Sequence, residues 1–360
     1  MGLLAMDTPV RELLVVETAT VLAGPSVGMF LAELGARVVK VEPPNGDVTR
    51  AWKLPIEDSS SPVSAYFSSV NWNKQHLRLD LKDAAARMEF DALVRQADVL
   101  ITNHLAADSD KLGLGHDRIR SLNPRLVHGH IKGFAEQPER PAYDVVLQAE
   151  AGYVSMTGID EGLVAKAPIA LIDMLAAHQL KEGLLLALWR RERTGVGGYV
   201  EVSLEEAALA GLINQASNRL MTGAVARPLG TLHPNIAPYG EVFRCADGGR
   251  IILAVGSDGQ FSALCAALGS DALVNDERFA TNALRVRNRV ALADALGPAF
   301  LTQARDALLH RLLSANVPCG AVRRLDEVLE GPVAGRMVVA SIIDGAVTRR
   351  LRGNVFRITD

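Results

Sequence analysis

Leu13-Leu14-Val15-Val16-Glu17-Thr18-Ala19-Thr20-Val21-Leu22-Ala23-Gly24-Pro25 opens the stretch that decides the fold, and Arg37-Val38-Val39-Lys40-Val41-Glu42-Pro43-Pro44 closes it. Residues 13–17 form a short apolar run with strand character, and residues 18–24 read as the loop that follows. Pro25 suits the first position of a helix, where its missing N–H costs nothing. That helix carries Met29, Phe30, Leu31 and Leu34 and stops at Gly35. Residues 37–42 are a second strand, halted by the two prolines. Strand, helix and strand within about 30 residues make a βαβ unit, the opening of a parallel sheet covered by helices.

Further units follow. Residues 84–96 carry a helical pattern, and 97–102 form a strand that delivers Asn103 at its end. A helix closes at 119–123 before Pro124, and residues 125–132 are another strand. Alternation over the first 200 or so residues predicts α/β architecture with an open, parallel, Rossmann-like sheet. Ligands of such sheets sit at the carboxyl ends of the strands. The loop at 20–24, Asn103, the segment after Lys132 and the Asp173 region are therefore expected near one another. Residues 224–238 turn loop-like, with Pro228, Gly230, His233, Pro234 and Pro238. Beyond them, strands at 240–245 and 250–255 around Asp247-Gly248-Gly249, then helices to about Asn316, read as a smaller α+β domain. Val317-Pro318-Cys319-Gly320-Ala321-Val322 is expected to turn back toward the large domain. The division this predicts is a large α/β domain over 1–223, a small domain over 224–320 and a return segment over 321–360.

Asp173 opens an otherwise apolar helix: Pro168-Ile169-Ala170-Leu171-Ile172 precedes it, and the run continues to Trp189 before the basic exit Arg190-Arg191-Glu192-Arg193-Thr194-Gly195. A carboxylate at a helix start sees the positive end of the backbone dipole, which favours its ionised form. Held among apolar residues, such a group can attack a carbonyl and become acylated. The plainer role is a helix cap.

The chain of 360 residues is 49% hydrophobic and 22% charged, a balance that supports one large domain and a smaller one. A net charge of −3 gives no field for holding nucleic acid, so none is expected as a partner. Cys245, Cys265 and Cys319 form no CxxC pair, and the start meets Asp7 and Pro9 before any apolar core develops. A cytoplasmic protein with reduced thiols is expected, and no apolar stretch approaches the roughly 18 residues that would span a membrane. His128 and His130 share a strand face without a third ligand nearby, so no metal is expected. Glu42 lies 18 residues past Gly24, close to the spacing of an NAD-ribose acid, but Pro25 and Val27 replace the glycine fingerprint. No NAD is expected.

Taken together, several segments resemble the class III coenzyme A transferases, a family that also includes the α-methylacyl-CoA racemases. The matching stretches are Val21-Leu22-Ala23-Gly24-Pro25, Leu34-Gly35-Ala36-Arg37 through Gly46-Asp47, Asn71-Trp72-Asn73-Lys74, Leu79-Asp80-Leu81-Lys82 and Ala97-Asp98-Val99-Leu100 with Asn103. Lys111-Leu112-Gly113-Leu114, Asn123-Pro124-Arg125, Pro141-Ala142-Tyr143-Asp144 and Arg193-Thr194-Gly195 continue the series. His233-Pro234-Asn235 through Tyr239, and Ala254 through Phe261, extend it into the second domain.

This resemblance implies two chains threaded through one another as an interlocked homodimer, with Asp173 as the catalytic aspartate. In the transferases that group attacks a donor acyl-CoA to give a mixed anhydride, returning CoA forms an aspartyl-CoA thioester, and an acceptor acid then takes the CoA. The implied partners are an acyl-CoA and a small carboxylic acid, and coenzyme A contacts fall on Val21, Ala23, Lys74, Asn103, Lys111 and Tyr143. Lysines suit phosphates, and an amide at a strand end suits the pantetheine arm. The racemases place a histidine where Tyr143 stands. Tyrosine, with a reference pKa near ~10, is a poor base at neutral pH, so CoA transfer is the leading expectation. A 2-methylacyl-CoA epimerase and a non-catalytic CoA-binding protein are the alternatives. His178, five residues past Asp173, faces another side of the helix and does not replace the missing base. The chain departs from the family pattern at His104, usually aromatic, and in the absence of a glycine-rich lid between Thr222 and Gly240, which speaks against oxalate and formyl-CoA. It also lacks the usual final segment.

Overall fold

The structure is a computed structural model and describes residues 9–358. By their contacts these divide into two units, one comprising the described residues up to 153, 166–225 and those from 336, the other comprising 154–165 and 226–335.

The first unit begins with β1 (Leu14–Glu17), α1 (Ala23–Glu33), β2 (Arg37–Glu42), α2 (Ala65–Ser68) and β3 (Lys74–Arg78). It continues through α3 (Ala84–Gln96), β4 (Val99–Thr102), α4 (Ala106–Leu112), α5 (His116–Leu122), β5 (Val127–Lys132) and α6 (Asp144–Glu150). After the one-turn α7 (Tyr153–Met156) come α8 (Leu171–Thr194), β6 (Gly198–Ser203), α9 (Leu204–Ala210) and α10 (Ile213–Thr222). Six strands pair in the order β3-β2-β1-β4-β5-β6, all parallel. Adjacent strand residues point to opposite faces, which splits the apolar runs into two cores. Val15, Val99, Ile101, Val127 and Ile131 pack with Val27 and Leu31 of α1 and with Leu180 and Leu184 of α8. Val16, Val39, Val41 and Leu100 pack with Phe90 and Val94 of α3 and Ile119 of α5. The strand order reverses between β1 and β4. That reversal opens a crevice at their carboxyl ends, where the loop at 18–22 and Asn103 lie. Helix α1 begins at Ala23, two residues ahead of the expected Pro25 start, and the proline still sits in the first turn where no N–H is needed.

The second unit holds β7 (Tyr239–Arg244), β8 (Arg250–Ala254), α11 (Asp258–Leu268), α12 (Asn282–Arg287), α13 (Arg289–Phe300), α14 (Arg305–Ser314), β9 (Cys319–Ala321) and α15 (Leu325–Leu329). Its core is Phe243, Ile251, Leu253, Phe261, Phe279, Leu296 and Phe300. Here one expectation is corrected: residues 317–322 do not turn away. Cys319, Gly320 and Ala321 pair antiparallel with Leu253, Ile252 and Ile251, adding a third strand to this unit's sheet. The chain re-enters the first unit within α16 (Pro332–Met337) and ends in the hairpin of β10 (Val338–Ile343) and β11 (Ala346–Leu351). Ile343 packs on Val63 and Phe67.

Candidate active site

The loop after β1 is held at Thr18, Ala19 and Thr20. Thr18 and Ala19 donate their N–H groups to the Ile101 carbonyl, and the Asn103 amide grips Thr20 from both sides, Oδ1 accepting from its N–H at 3.0 Å and Nδ2 donating to its carbonyl at 2.9 Å. Val21 then adopts φ 69°, a left-handed conformation uncommon for a β-branched residue. Strain of this kind collects at functional positions. The turn launches α1 without any side-chain cap: Ser26 N–H bonds back to the Leu22 carbonyl at 2.8 Å and Pro25 has no N–H, while those of Ala23 and Gly24 have no hydrogen-bond partner among the described residues.

Beneath the loop lies a buried set of charges. Lys40 Nζ donates to Glu17 at 3.1 Å and to the Ala19 carbonyl at 2.7 Å, and lies 3.1 Å from Asp47. Lys74 Nζ reaches both Glu17 oxygens at 2.8 and 2.9 Å, the Pro25 carbonyl at 2.9 Å and Asn71 at 3.0 Å. A Cβ at Gly28 would stand 1.8 Å from Glu17 Oε2, so a glycine is what lets α1 cross over this carboxylate. The expected CoA contact at Lys74 is thereby corrected. Its side chain is fully buried and four bonds bind it to protein oxygens, and burial draws its pKa down to about 8 against the pull of Glu17. Lys40 shares the burial, yet Glu17, Asp47 and Glu42 together keep it above the ordinary lysine value.

Asp173 is the third residue of α8 and only 8% exposed. It does not cap its helix. Asp144, the first residue of α6, does so from 28 residues away, Oδ1 accepting from Ile172 N–H at 2.7 Å and from Asp173 N–H at 3.4 Å. Among the described residues the Asp173 carboxyl accepts no hydrogen bond, and burial first, then the nearby Asp144 charge, push it up to about 7. The expectation that the helix start keeps it ionised is corrected on this ground: another carboxylate has taken the helix donors. Tyr66 of α2 stands within electrostatic reach. Its phenol is pushed up to about 12 by burial and then by Asp173, Asp144 and Asp47. Nothing in the local sequence marks Tyr66, because α2 is a single turn with no periodic signal.

A cavity of about 200 Å³ at the sheet's carboxyl end brings together Val21, Ala23, Asn103, Tyr143 and Asp173. Lys111 lies outside it, exposed on α4 and paired with Asp108 at 3.2 Å. The cation on the cavity wall is Lys132, 2.6 Å from Glu201. His104 turns away, with Nε2 3.2 Å from Thr18 Oγ1, and burial lowers its pKa. His128 and His130 both meet Thr102 Oγ1, at 3.0 and 2.8 Å. Among the described residues there is no cluster of three or more His, Cys, Asp or Glu that could hold a metal, and no histidine lines the Asp173 cavity.

A buried carboxyl that shares its cavity with the start of α1 is a setting suited to acyl chemistry. The family profile described as CoA-transferase family III matches residues 10–357. The chain belongs to CoA-transferase family III. It is similar to the succinate–glutarate CoA-transferase of Agrobacterium fabrum, 36% identical over 354 residues that span 96% of this chain and 88% of that protein. It is 34% identical over 340 residues to the acetyl-CoA:oxalate CoA-transferase of Acetobacter aceti, with coverage of 92% and 86%. Among solved structures, a CAIB/BAIF family protein from Brucella suis superposes with a TM-score of 0.88 at 36% identity, covering 99% of this chain and 94% of that one. As a family III enzyme the protein transfers CoA between an acyl-CoA and a carboxylic acid, and no helix among the described residues is long and apolar enough to cross a membrane.

Proposed function

We propose that Asp173 is the nucleophile of this transfer. One Asp173 oxygen attacks the donor thioester carbonyl, the C–S bond breaks, and CoA thiolate leaves an acyl-aspartyl anhydride. The thiolate returns to the aspartyl carbonyl, expels the donor acid as its carboxylate and forms aspartyl-CoA. The acceptor carboxylate displaces the thiolate to give a second anhydride, and the thiolate then attacks the acceptor carbonyl, yielding the new acyl-CoA and free Asp173. No net proton moves. The open N–H groups at the start of α1 suit the oxyanions of these steps, with Val21 and Ala23 setting their direction. Asn103 fixes that loop, and Tyr143 and Lys132 offer donors along the path of the pantetheine arm; Lys111 is an outlying candidate for a phosphate.

The single observation that carries this reading is the Asp173 carboxyl, buried without a cation or a donor among the described residues, in a cavity built from the sheet's carboxyl ends. The absence of a histidine from that cavity favours transfer over epimerisation. The acids named for the two relatives above are all dicarboxylic, which sets the acceptor panel. Asp173→Ala is expected to abolish exchange while folding normally, and wild-type enzyme incubated with a donor should carry a hydroxylamine-sensitive adduct on Asp173. Retained activity in the Ala variant would end the reading.

We also propose a cytoplasmic, interlocked homodimer. Ile213, Leu220 and Met221 on α10, and Leu186 and Trp189 on α8, are apolar and exposed, and the chain passes repeatedly between its two units. Threaded chains should stay paired on dilution. Sedimentation at nanomolar concentration checks this, and a folded monomer of 38.5 kDa would refute it.

A further inference from the structure

A second and larger cavity, about 670 Å³, runs along the groove between α1 and α8. That is a volume suited to a small ligand. Met29 and Phe30 of α1 and Met174 and Leu185 of α8 form its sides, and Val355 and Phe356 close it. Leu22 lines both this cavity and the one at Asp173, and Met174 directly follows Asp173 in the chain. On the other side Ser69 and Val70 contribute, three and four residues past Tyr66. The two cavities thus share Leu22, and the groove runs along the helix that carries Asp173.

The titratable groups around it are Glu33, His178, Lys181 and Glu182. Glu33 is already committed: Arg350 Nη2 lies 2.5 Å from it, and the N–H groups of Gly353 and Asn354 donate to it at 2.8 and 2.7 Å. His178 and Glu182 are exposed. Lys181 is the exception. It is half-buried, forms no ion pair within 4 Å among the described residues, and holds its ammonium 5.4 Å from the Phe30 ring centre. Burial lowers its pKa, with Glu33 opposing. A desolvated ammonium among apolar walls gains most from an anion brought in by a ligand.

We propose that this groove receives the carbon chain of a dicarboxylic substrate, its distal carboxylate paired with Lys181 while the reacting carboxyl lies at Asp173. Lys181 is eight residues beyond Asp173, roughly 12 Å along the helix axis at about 1.5 Å per residue. Helical side chains lean toward the N-terminus, so the long lysine stem brings its ammonium back toward the nucleophile. The remaining span fits a short aliphatic diacid. Lys181 is then a specificity residue that touches the substrate at its unreactive end.

This inference rests on the CoA-transfer reading, and the test separates the two. Wild type, Lys181→Met and Lys181→Arg are assayed for CoA exchange with glutarate and succinate, and with valerate and butyrate as matched monoacids. Wild type should prefer each diacid over its monoacid, and Lys181→Met should lose about tenfold or more in diacid kcat/KM, chiefly through KM. Its monoacid kcat/KM should not fall, since an alkyl end gains nothing from an ammonium. Circular dichroism reports the fold, and Lys181→Arg should keep the diacid preference. Equal losses for both acid classes, or no loss for either, would overturn the assignment of Lys181 and leave CoA transfer standing. A wild-type enzyme that transfers CoA to none of the four acids would overturn both.

Discussion

Two groups of buried charge in this enzyme are treated in opposite ways. Under the first loop, Glu17 and Asp47 meet Lys40 and Lys74, and each ammonium also finds a backbone carbonyl. At the start of α8, Asp173 is buried beside another carboxylate, with neither cation nor donor among the described residues. Paired charge of the first kind fixes geometry, since removing one member strands the other in a poor solvent. Unpaired charge of the second kind opposes folding and waits for a reaction partner. The contrast explains why both lysines are committed to protein oxygens, and why burial and then Asp144 push the Asp173 carboxyl up to about 7.

The largest break in this comparison is expected at Lys74. Lys74→Met leaves Glu17 short of a cation and should destabilise the fold by about 3–5 kcal/mol in urea unfolding. Adding Glu17→Gln should recover most of that loss, because no bare charge then remains. A Lys74→Met protein as stable as wild type would mean that the cluster does not hold the loop.

A smaller effect of opposite sign is expected at Asp173. Its folded-state pKa lies above the ordinary carboxylate value, so between about pH 4 and 7 the folded chain keeps a proton that the unfolded chain has lost. Wild-type stability therefore falls as pH rises through that window, and the whole cost persists above pH 7. Asp173→Asn escapes it. The variant should match wild type in Tm near pH 4 and exceed it by several degrees at pH 8, while losing activity. The same titration should appear in wild-type kcat/KM for the donor as a limb rising through about pH 7. A Tm difference that is flat with pH would show that Asp173 is solvated after all.

Much of the frame was legible before any coordinates. The apolar run at 13–17, the proline and glycine bounding α1 and the strand ending at Pro43 are local signals, and α3 spans residues 84–96 as its pattern implies. β9 was not legible. Three residues carry no period, and their pairing with β8 depends on a segment far away in sequence. The site divides along the same line. Val21, Ala23, Asn103, Tyr143 and Asp173 belong to motifs and meet in one cavity. Lys74 misleads because its partner, Glu17, is 57 residues away. The ionisation of Asp173 misleads because the residue that takes the helix donors, Asp144, stands 29 residues earlier.

The walls of the groove beside α1 are made at very different times during synthesis. The six strands and the helix bearing Asp173 are all encoded by residue 203, whereas Arg350 and residues 353–356 emerge about 150 residues later. Until then Glu33 has neither Arg350 nor the two N–H groups that hold it, and the groove lies open along one side. On the ribosome, Asp173 and its helix are made well before the segment that completes this groove. A nascent chain stalled in the second unit would carry Asp173 and the residues of its cavity without the segment that walls the neighbouring groove.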